Sequence, residues 1–463
     1  MKADLVAFLA PFAPLYDSAD KAAYERGARH GSGRCLAVVR PSAEAEVQDL
    51  VRGCIQRGIP LVVQGANTSL VGAASPDATG DALVLSTERM RWVHDLSLDD
   101  MTVRAGAGTR LSALNAFLEP HGLWFPIDLG ADPSIGGMVA TNTGGSRLIR
   151  YGDVRSRVCG MRAVMMSPGG ELLRLGRGLH KDNTGLDLKQ LLIGSNGSLA
   201  VVTEATLRLA RLPKQSAAAL LALTRAEDAN SVFRLLTSRC DGLVSAFEGI
   251  SGAALELARA HTPGLQLPFP HPYPYYLLVE ISAAQAEADL ALDSLLMEVL
   301  EAELGQSFQD AATGKPAQFW AMRHALTEGA RHAGRVIAFD ISVRRDRLPT
   351  LLDSARSIAA DALPTAIVAD FGHWGDGGVH FNLVIPHGET VSSMKVEQMR
   401  ERLFNLVADL GGSFSAEHGV GRGNADVYSA YTSPEERRLA GAVQRVFNPA
   451  LQLGTVSFEG EGR

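Results

Sequence analysis

The strongest chemical signal in this 463-residue chain is FGHWGDGGVHFN, residues 371–382. Asp376-Gly377 is a preferred two-residue hairpin turn of type I′. Centring the turn there pairs Gly375 with Gly378, Trp374 with Val379, and His373 with His380. The two imidazoles then face each other from adjacent strands, their Cβ atoms about 4.5–5.5 Å apart. Asn382, two residues on, shares that face. A third ligand is offered by SAEHGVG, Ser415–Gly421, where Glu417 stands beside His418. Two histidines and a carboxylate bind Zn, Mn or Fe(II) while leaving positions open for substrate. A lone histidine is more often a satisfied core or surface group. Two facing across a hairpin, with an acidic glycine loop in reach, favour a metal held by His373, His380 and Glu417, zinc ahead of manganese or iron.

A second signal is backbone rather than side chain. Glycine is concentrated in QGANTSLVG, residues 64–72, and in IGGMVATNTGG, residues 135–145. Small residues let backbone N–H groups approach an anion, and interleaved Thr, Ser and Asn add donors. Either tract alone reads equally well as tight turns. Two such turns, each entered from a strand, suit a pyrophosphate held between them. No G-x-G-x-x-G opens a helix after a strand; GAGTRL at Gly106 lacks the third glycine.

The elements that must position these groups follow from apolar runs. Residues 1–33 read as a helical lead-in, with Leu5, Phe8 and Leu9 at helical spacing. LAVVRP, PLVVQG, ALVLS and MTVRAG read as strands, Ala43–Arg57 and Arg110–His121 as helices, and MRAVMMSPGGELLRL as a hairpin about residues 168–170. Composition shifts near Leu212-Pro213-Lys214. Beyond it LVSAFEGI, YYLLVEI, VIAFDISV, AIVADFGH and VHFNLVIP alternate with helices over Ala284–Leu304, Arg347–Ala362 and Val396–Leu410. This predicts an α+β domain whose antiparallel sheet is covered on one face. From Ser433 a helix and an extended tail close the chain.

Composition sets the outer bounds. Hydrophobic content of 46% and charged content of 21% are those of a soluble globular protein. A net charge of −7 argues against a nucleic-acid binder. Cys35, Cys54, Cys159 and Cys240 form no Cys-x-x-Cys pair and read as reduced thiols. The N-terminal apolar run is broken by Pro11 and Pro14, unlike a signal peptide. No apolar stretch approaches the roughly 20 residues of a membrane span. The expectation is a cytoplasmic protein, with peripheral attachment at the inner membrane left open.

QGANTSLVG, FPIDLGADPSIGGMVATNTGGSRLIRYG and KDNTGLDLKQLLIGSNGSLAVVTEA resemble the signature stretches of the FAD domain of the p-cresol methylhydroxylase/vanillyl-alcohol oxidase superfamily. The wording is closest to its D-2-hydroxyglutarate and D-lactate dehydrogenase branch. The resemblance implies an α+β fold in four segments: the lead-in 1–33, an FAD-binding domain 34–213, a substrate- and metal-binding cap with an antiparallel sheet 214–425, and a tail 426–463 returning to the FAD domain. It implies that Gln64, Gly65, Ala66, Asn67, Thr68, Ser69, Gly72, Pro126, Gly136, Gly137, Thr141, Asn142, Gly144, Gly145 and Val202 line the FAD. Neither glycine tract holds the His or Cys of covalently linked relatives, so non-covalent FAD is expected.

FGHWGDGGVHFN and EHGVG likewise resemble the family's metal motifs, implying metal ligation by His373, His380 and Glu417, substrate contact by Asn382, and His418 as catalytic base. FWAMRHALTEGARHAG resembles the helix whose Arg and Thr bind the substrate carboxylate, here Arg323 and Thr327. Both lie on one helical face, and a guanidinium matches a carboxylate with two parallel hydrogen bonds. The neighbouring Arg331, His332, Arg335, Arg344, Arg345 and Arg347 read mainly as a solvated face.

The implied activity is oxidation of a D-2-hydroxy acid, D-2-hydroxyglutarate ahead of D-lactate, with electrons passed to an electron-transfer flavoprotein, a quinone or a cytochrome. A homodimer is compatible with the sequence. Departures bear on the substrate. Ala338 stands where 2-hydroxyglutarate enzymes carry a Lys, and Asn424 where a basic residue commonly follows the Glu-His-Gly loop. Gly378 replaces the turn Asn, and Gln452-Leu453-Gly454 replaces an Asn-Pro-Gly turn. Competing readings are a non-catalytic flavin-binding subunit, which would not need these side chains, and a zinc hydrolase, which leaves both glycine tracts unexplained.

Overall fold

The computed structural model describes residues 3–284 and 291–459. The chain divides into two compact units. One comprises residues 1–145, 152–212 and 417–463; the other comprises residues 146–151 and 213–416.

The first unit is built on a small parallel sheet, Val38–Val39, Leu83–Ser86 and Leu61–Gln64, and a five-stranded antiparallel sheet. The helix Glu44–Arg57 joins Val38–Val39 to Leu61–Gln64 and buries Val47, Leu50, Val51 and Cys54 along one stripe. Gly58 ends it in the left-handed conformation, its N–H reaching back to the Cys54 and Ile55 carbonyls. The expected hairpin forms between Val158–Met165 and Leu172–Leu175. The lead-in is two short helices, Ala3–Leu9 and Ser18–Glu25. Leu9 and Phe12 pack into the core of the parallel sheet with Leu61, Leu83 and Leu85, so the lead-in is part of this unit. The tail returns beside the strand that carries the first glycine tract: Leu61 N–H donates to the Gln452 carbonyl at 2.7 Å, and Gly454 N–H to the Leu61 carbonyl at 2.8 Å.

The second unit is an eight-stranded sheet with antiparallel pairings. It includes Gln215–Leu223, an unremarked run in the sequence because alanine dominates it. Every residue of Val244–Ser251 and Tyr275–Ala283 is buried, which requires cover on both faces rather than the one expected. These strands are nearly continuous apolar runs, the pattern of a sheet buried on two sides. The helices Gly252–His261 and Pro316–Ala333 share one core with Ala218, Leu220, Tyr276 and Leu278. The helices expected over 347–362 and 396–410 form as Leu348–Ala362 and Ser393–Asp409. Of the helix expected over 284–304, Leu292–Glu301 is helical, and residues 285–290 lie outside the described residues.

Candidate active site

The histidine turn forms, in a different register from the one expected. His380 pairs with Phe371, not with His373. A type I′ turn needs positive φ at both central residues, and here Gly377 has it (+91°) while Asp376 does not. The turn is longer: the His373 carbonyl accepts the amides of Asp376, Gly377 and Gly378, and Asp376 Oδ1 accepts the Gly378 N–H at 2.9 Å. The two imidazoles still meet, edge to face, with ring centroids 5.4 Å apart.

Strand register gathers the rest of this face. Gly334–Ser342 runs antiparallel to Gly378–Pro386, setting Asp340 opposite His380 and Ala338 opposite Asn382. With a period of two, Ala338, Asp340, His380 and Asn382 share one face. Arg335 has the other parity, so it cannot stand in for the cation missing at Ala338. Arg331, His332, Arg335, Arg344, Arg345 and Arg347 are all exposed. The Asn382 amide donates to the Ala369 and His380 carbonyls at 3.4 and 3.3 Å.

Arg323, on the helix Pro316–Ala333, is buried at 8% exposure. Its guanidinium lies 4.6 Å from the Phe371 ring centroid and donates through Nε to Glu248 Oε2 at 2.6 Å. Glu248 Oε1 sits 2.6 Å from His373 Nδ1. Burial alone would raise the Glu248 carboxyl, but the positive charges of His373 and Arg323 outweigh it and hold the group at about 2. An ionised carboxylate only accepts hydrogen bonds, so Nδ1 of His373 carries a proton toward Glu248. Asp340 Oδ1 lies 3.8 Å from His380 Nδ1, within reach of an ion pair but beyond hydrogen-bond distance. A carboxylate hydrogen-bonded behind an imidazole, as Glu248 is behind His373, orients metal-binding histidines, so the donor set fits a divalent cation. Thr327 follows Arg323 by one turn and is half-buried.

Glu417 and His418 belong to the first unit, with Glu417 Oε1 3.7 Å from His418 Nε2. Their loop is anchored to the first glycine tract. Gly423 N–H donates to the Val71 carbonyl at 2.9 Å, and Arg422 to Ser75 Oγ and the Pro76 carbonyl. Asn424, expected to bear on substrate charge, instead knits the loop: its Oδ1 accepts from Gly421 N–H at 2.8 Å and its amide donates to the Gly419 carbonyl at 3.0 Å.

The glycine tracts lie side by side. The first leaves the carboxyl end of Leu61–Gln64, where parallel strands present ligand sites. The second begins a helix, Ile135–Thr141, capped by Ser134. A Cβ on Gly65 would lie 2.0 Å from Ser134 Oγ and would push aside the hydroxyl that caps this helix. Several expected FAD-lining side chains are occupied by the protein itself. Gln64 donates to the Tyr24 and Ala74 carbonyls, and Asn67 to those of Ala23 and Arg26. Thr141 Oγ1 bonds the Gly137 carbonyl and Thr143 Oγ1. Asn142 bridges Asp153 and the Arg155 amide. Pro126, Gly72, Gly136, Gly144 and Gly145 are buried, and Val202 packs in the core. Ala66, Thr68 and Gly137 stay partly open. Buried without a hydrogen-bond partner among the described residues are Ser69 Oγ, Asn196 Oδ1, Ser198 Oγ and Gln452 Nε2. Such groups are costly unless a polar ligand meets them, so the cradle fits a dinucleotide.

Sequence reasoning missed Glu248, Glu280, Asp340 and Arg147. Glu280, 1% exposed, accepts two hydrogen bonds from Arg147 at 3.1 Å each, one from Trp320 Nε1 at 2.7 Å and one from Ser245 Oγ at 2.6 Å. A signal was present: a single carboxylate inside an otherwise apolar strand (SAFEGI, YYLLVEI) is almost never buried unless paired.

A nucleotide-type cradle in one unit and a histidine–carboxylate face in the other are the parts of a flavoprotein oxidoreductase, and sequence comparison agrees. Residues 35–176 match the FAD binding domain family, and residues 212–454 match the family FAD linked oxidases, C-terminal domain. The chain belongs to the FAD-linked oxidase family. D-2-hydroxyglutarate dehydrogenase of Xanthomonas citri pv. viticola is 36% identical over 429 residues, covering 90% of this chain and 88% of that protein. The mitochondrial D-2-hydroxyglutarate dehydrogenase of Bos taurus is 33% identical over 427 residues, covering 90% and 75%. Among solved structures, alkyldihydroxyacetonephosphate synthase superposes with a TM-score of 0.75 at 17% identity, covering 97% of this chain and 83% of that one. Substrate-bound p-cresol methylhydroxylase gives 0.74 at 15%, covering 98% and 94%. At such identities the likeness is one of fold, which is of the p-cresol methylhydroxylase type.

Proposed function

We propose that the protein oxidises a D-2-hydroxy acid, D-2-hydroxyglutarate first, to the corresponding 2-oxo acid, using non-covalent FAD and a divalent cation, zinc ahead of manganese or iron. The observation that carries this reading is Arg323: a buried guanidinium, fastened through Nε to the carboxylate that also meets His373. Bound FAD would accept the hydride, and the cation would act as a Lewis acid on the substrate hydroxyl.

Arg323 and Thr327 hold a carboxylate and so fix which face of the α-carbon is presented. His418 takes the hydroxyl proton. Asn382 steadies the substrate from the histidine strand. His373, His380 and Glu417 would hold the cation. Chain connectivity supports this grouping. Asp340 is the cross-strand partner of His380, the Ala416 amide donates to the Asp340 carbonyl at 3.2 Å, and Glu417 comes next in the chain. The electrons pass to an external acceptor of the flavoprotein, quinone or cytochrome type. No helix among the described residues is long and apolar enough to cross a membrane.

The alternative substrate is D-lactate or another 2-hydroxymonocarboxylate. It is favoured by Ala338, which brings no cation to the face where a second carboxylate would be held.

The test is anaerobic bleaching of the visible flavin band by a panel of D- and L-2-hydroxy acids, with and without a chelator. Bleaching by D-2-hydroxyglutarate that the chelator abolishes is the expected result. Bleaching by D-lactate alone moves the reading to the monocarboxylate. No bleaching by any acid, in protein replete with FAD and metal, overturns it.

A further inference from the structure

Two buried carboxylates stand in the sheet of the second unit, and they serve different neighbours. Glu280 is engaged by Arg147, Trp320 and Ser245, none of which has a role in the proposed chemistry. Glu248, on Val244–Ser251 and 0% exposed, instead hydrogen-bonds groups that do. Its two oxygens are divided between Arg323 Nε and His373 Nδ1, each at 2.6 Å.

We propose that Glu248 is a positioning residue that fixes the carboxylate-binding guanidinium and a metal-binding imidazole as one rigid assembly. The inference rests on the reading of Arg323 and His373 given above. The two groups come from separate elements, the helix Pro316–Ala333 and the turn that follows Phe371–Gly372, and their side chains have independent rotamers. A single carboxylate between them removes that independence. Held at Nε and covered by the Phe371 ring, Arg323 has its plane set and its terminal nitrogens aimed. Held at Nδ1, His373 has both its tautomer and its ring orientation set. The distance between the substrate carboxylate and the cation is thereby fixed, which is the dimension a 2-hydroxy acid must match when its hydroxyl meets the cation.

The test is Glu248→Gln. The amide keeps the volume, but its oxygen can accept from only one of the two donors while its NH2 opposes the other. Metal affinity, measured by equilibrium against a competing chelator, is expected to fall about 10–100-fold. KM for the best substrate is expected to rise by a similar factor, with kcat changing less and the flavin spectrum unaltered. Glu248→Asp, which keeps the charge and draws it back by one methylene, is expected to show the same coupled loss and covers the case in which the amide variant does not fold. Variants that melt earlier but keep wild-type metal affinity and KM would make Glu248 a structural ion pair and overturn the proposal. Arg323→Lys and His373→Ala separate the two levels. If they shift KM and metal affinity while the Glu248 variants do not, the positioning role alone falls. If they shift neither, the site reading on which it rests falls.

Discussion

The glycine cradle and the histidine face build ligand sites from opposite materials. In the cradle, side chains that look like ligands are turned inward onto the protein's own carbonyls, as Gln64 and Asn67 are. What remains for a ligand is backbone N–H and a few orphaned polar atoms such as Ser69 Oγ. In the histidine face the side chains themselves form the site, and charge is tolerated in the core because each charged group has a partner, as Glu248 and Glu280 do. A backbone-built site is therefore sensitive to an added atom, and a side-chain-built site to a removed one.

His418 tests whether that division follows units or materials. It lies in the cradle's unit but acts through its side chain. His418→Ala is expected to slow flavin reduction by substrate about 10²–10⁴-fold. Flavin content should stay near wild type, because Gly423 N–H, Arg422 and Asn424 anchor the loop. Loss of flavin on this substitution would mean that the loop is part of the cradle.

The next largest effect belongs to the buried pair. Glu280→Gln leaves Arg147 without its bidentate partner, and breaking such a pair costs about 3–5 kcal/mol. Pairing it with Arg147→Met should recover much of the loss, since an uncharged pair carries no desolvation penalty. Denaturant unfolding of both variants decides this. Additive losses in the double variant would show that the two groups are not coupled.

How much of this was readable in the sequence follows the same division. The catalytic side chains stand in compact strings, and FGHWGDGGVHFN and SAEHGVG declare their chemistry without a fold. The register of the first string was not readable. Asp376-Gly377 signals a two-residue turn, yet the Asp376 carboxylate caps Gly378 N–H and lengthens the turn, which re-pairs His380 with Phe371. Glu248 and Glu280 are isolated letters in apolar strands, and their partners come from 75 and 133 positions away, a separation no local pattern carries. In the cradle, glycines revealed the tract and at the same time hid its secondary structure. Gly136 and Gly137 blur the apolar period of Ile135–Thr141, so a capped helix reads as a loop.

The cradle's sensitivity to an added atom is tested at Gly65. Gly65→Ala places a methyl 2.0 Å from Ser134 Oγ, between the two tracts. Overpacking of this kind costs about 1–3 kcal/mol, and the purified protein should carry less flavin per chain. Asn67→Ala, which removes a side chain that faces the protein, should keep more of its flavin than Gly65→Ala does. The reverse order would mean that side chains, not backbone, hold the dinucleotide.

The smallest effect expected is silence, and it bears on both regions at once. All four cysteines are buried and free, Cys35, Cys54 and Cys159 in the cradle's unit and Cys240 in the other. Burial pushes the Cys35 and Cys54 thiols up to about 12 and raises Cys159 and Cys240 as well. An ordinary thiol ionises near pH ~8.5, and the thiolate is the reactive form. The native protein should therefore give no reaction with a disulfide reagent at mildly alkaline pH, where an exposed thiol would react fully. Reaction appears only as a unit opens, which makes the cysteines a clock for local stability. Under rising denaturant, Cys240 reports the sheet whose charged groups are paired, and the other three report the unit that carries the glycine cradle. If unpaired polar atoms make the flavin-free cradle the weaker region, its three thiols are labelled before Cys240, and added FAD delays them selectively. Labelling of Cys240 first would reverse that ranking and place the weakest point among the buried ion pairs.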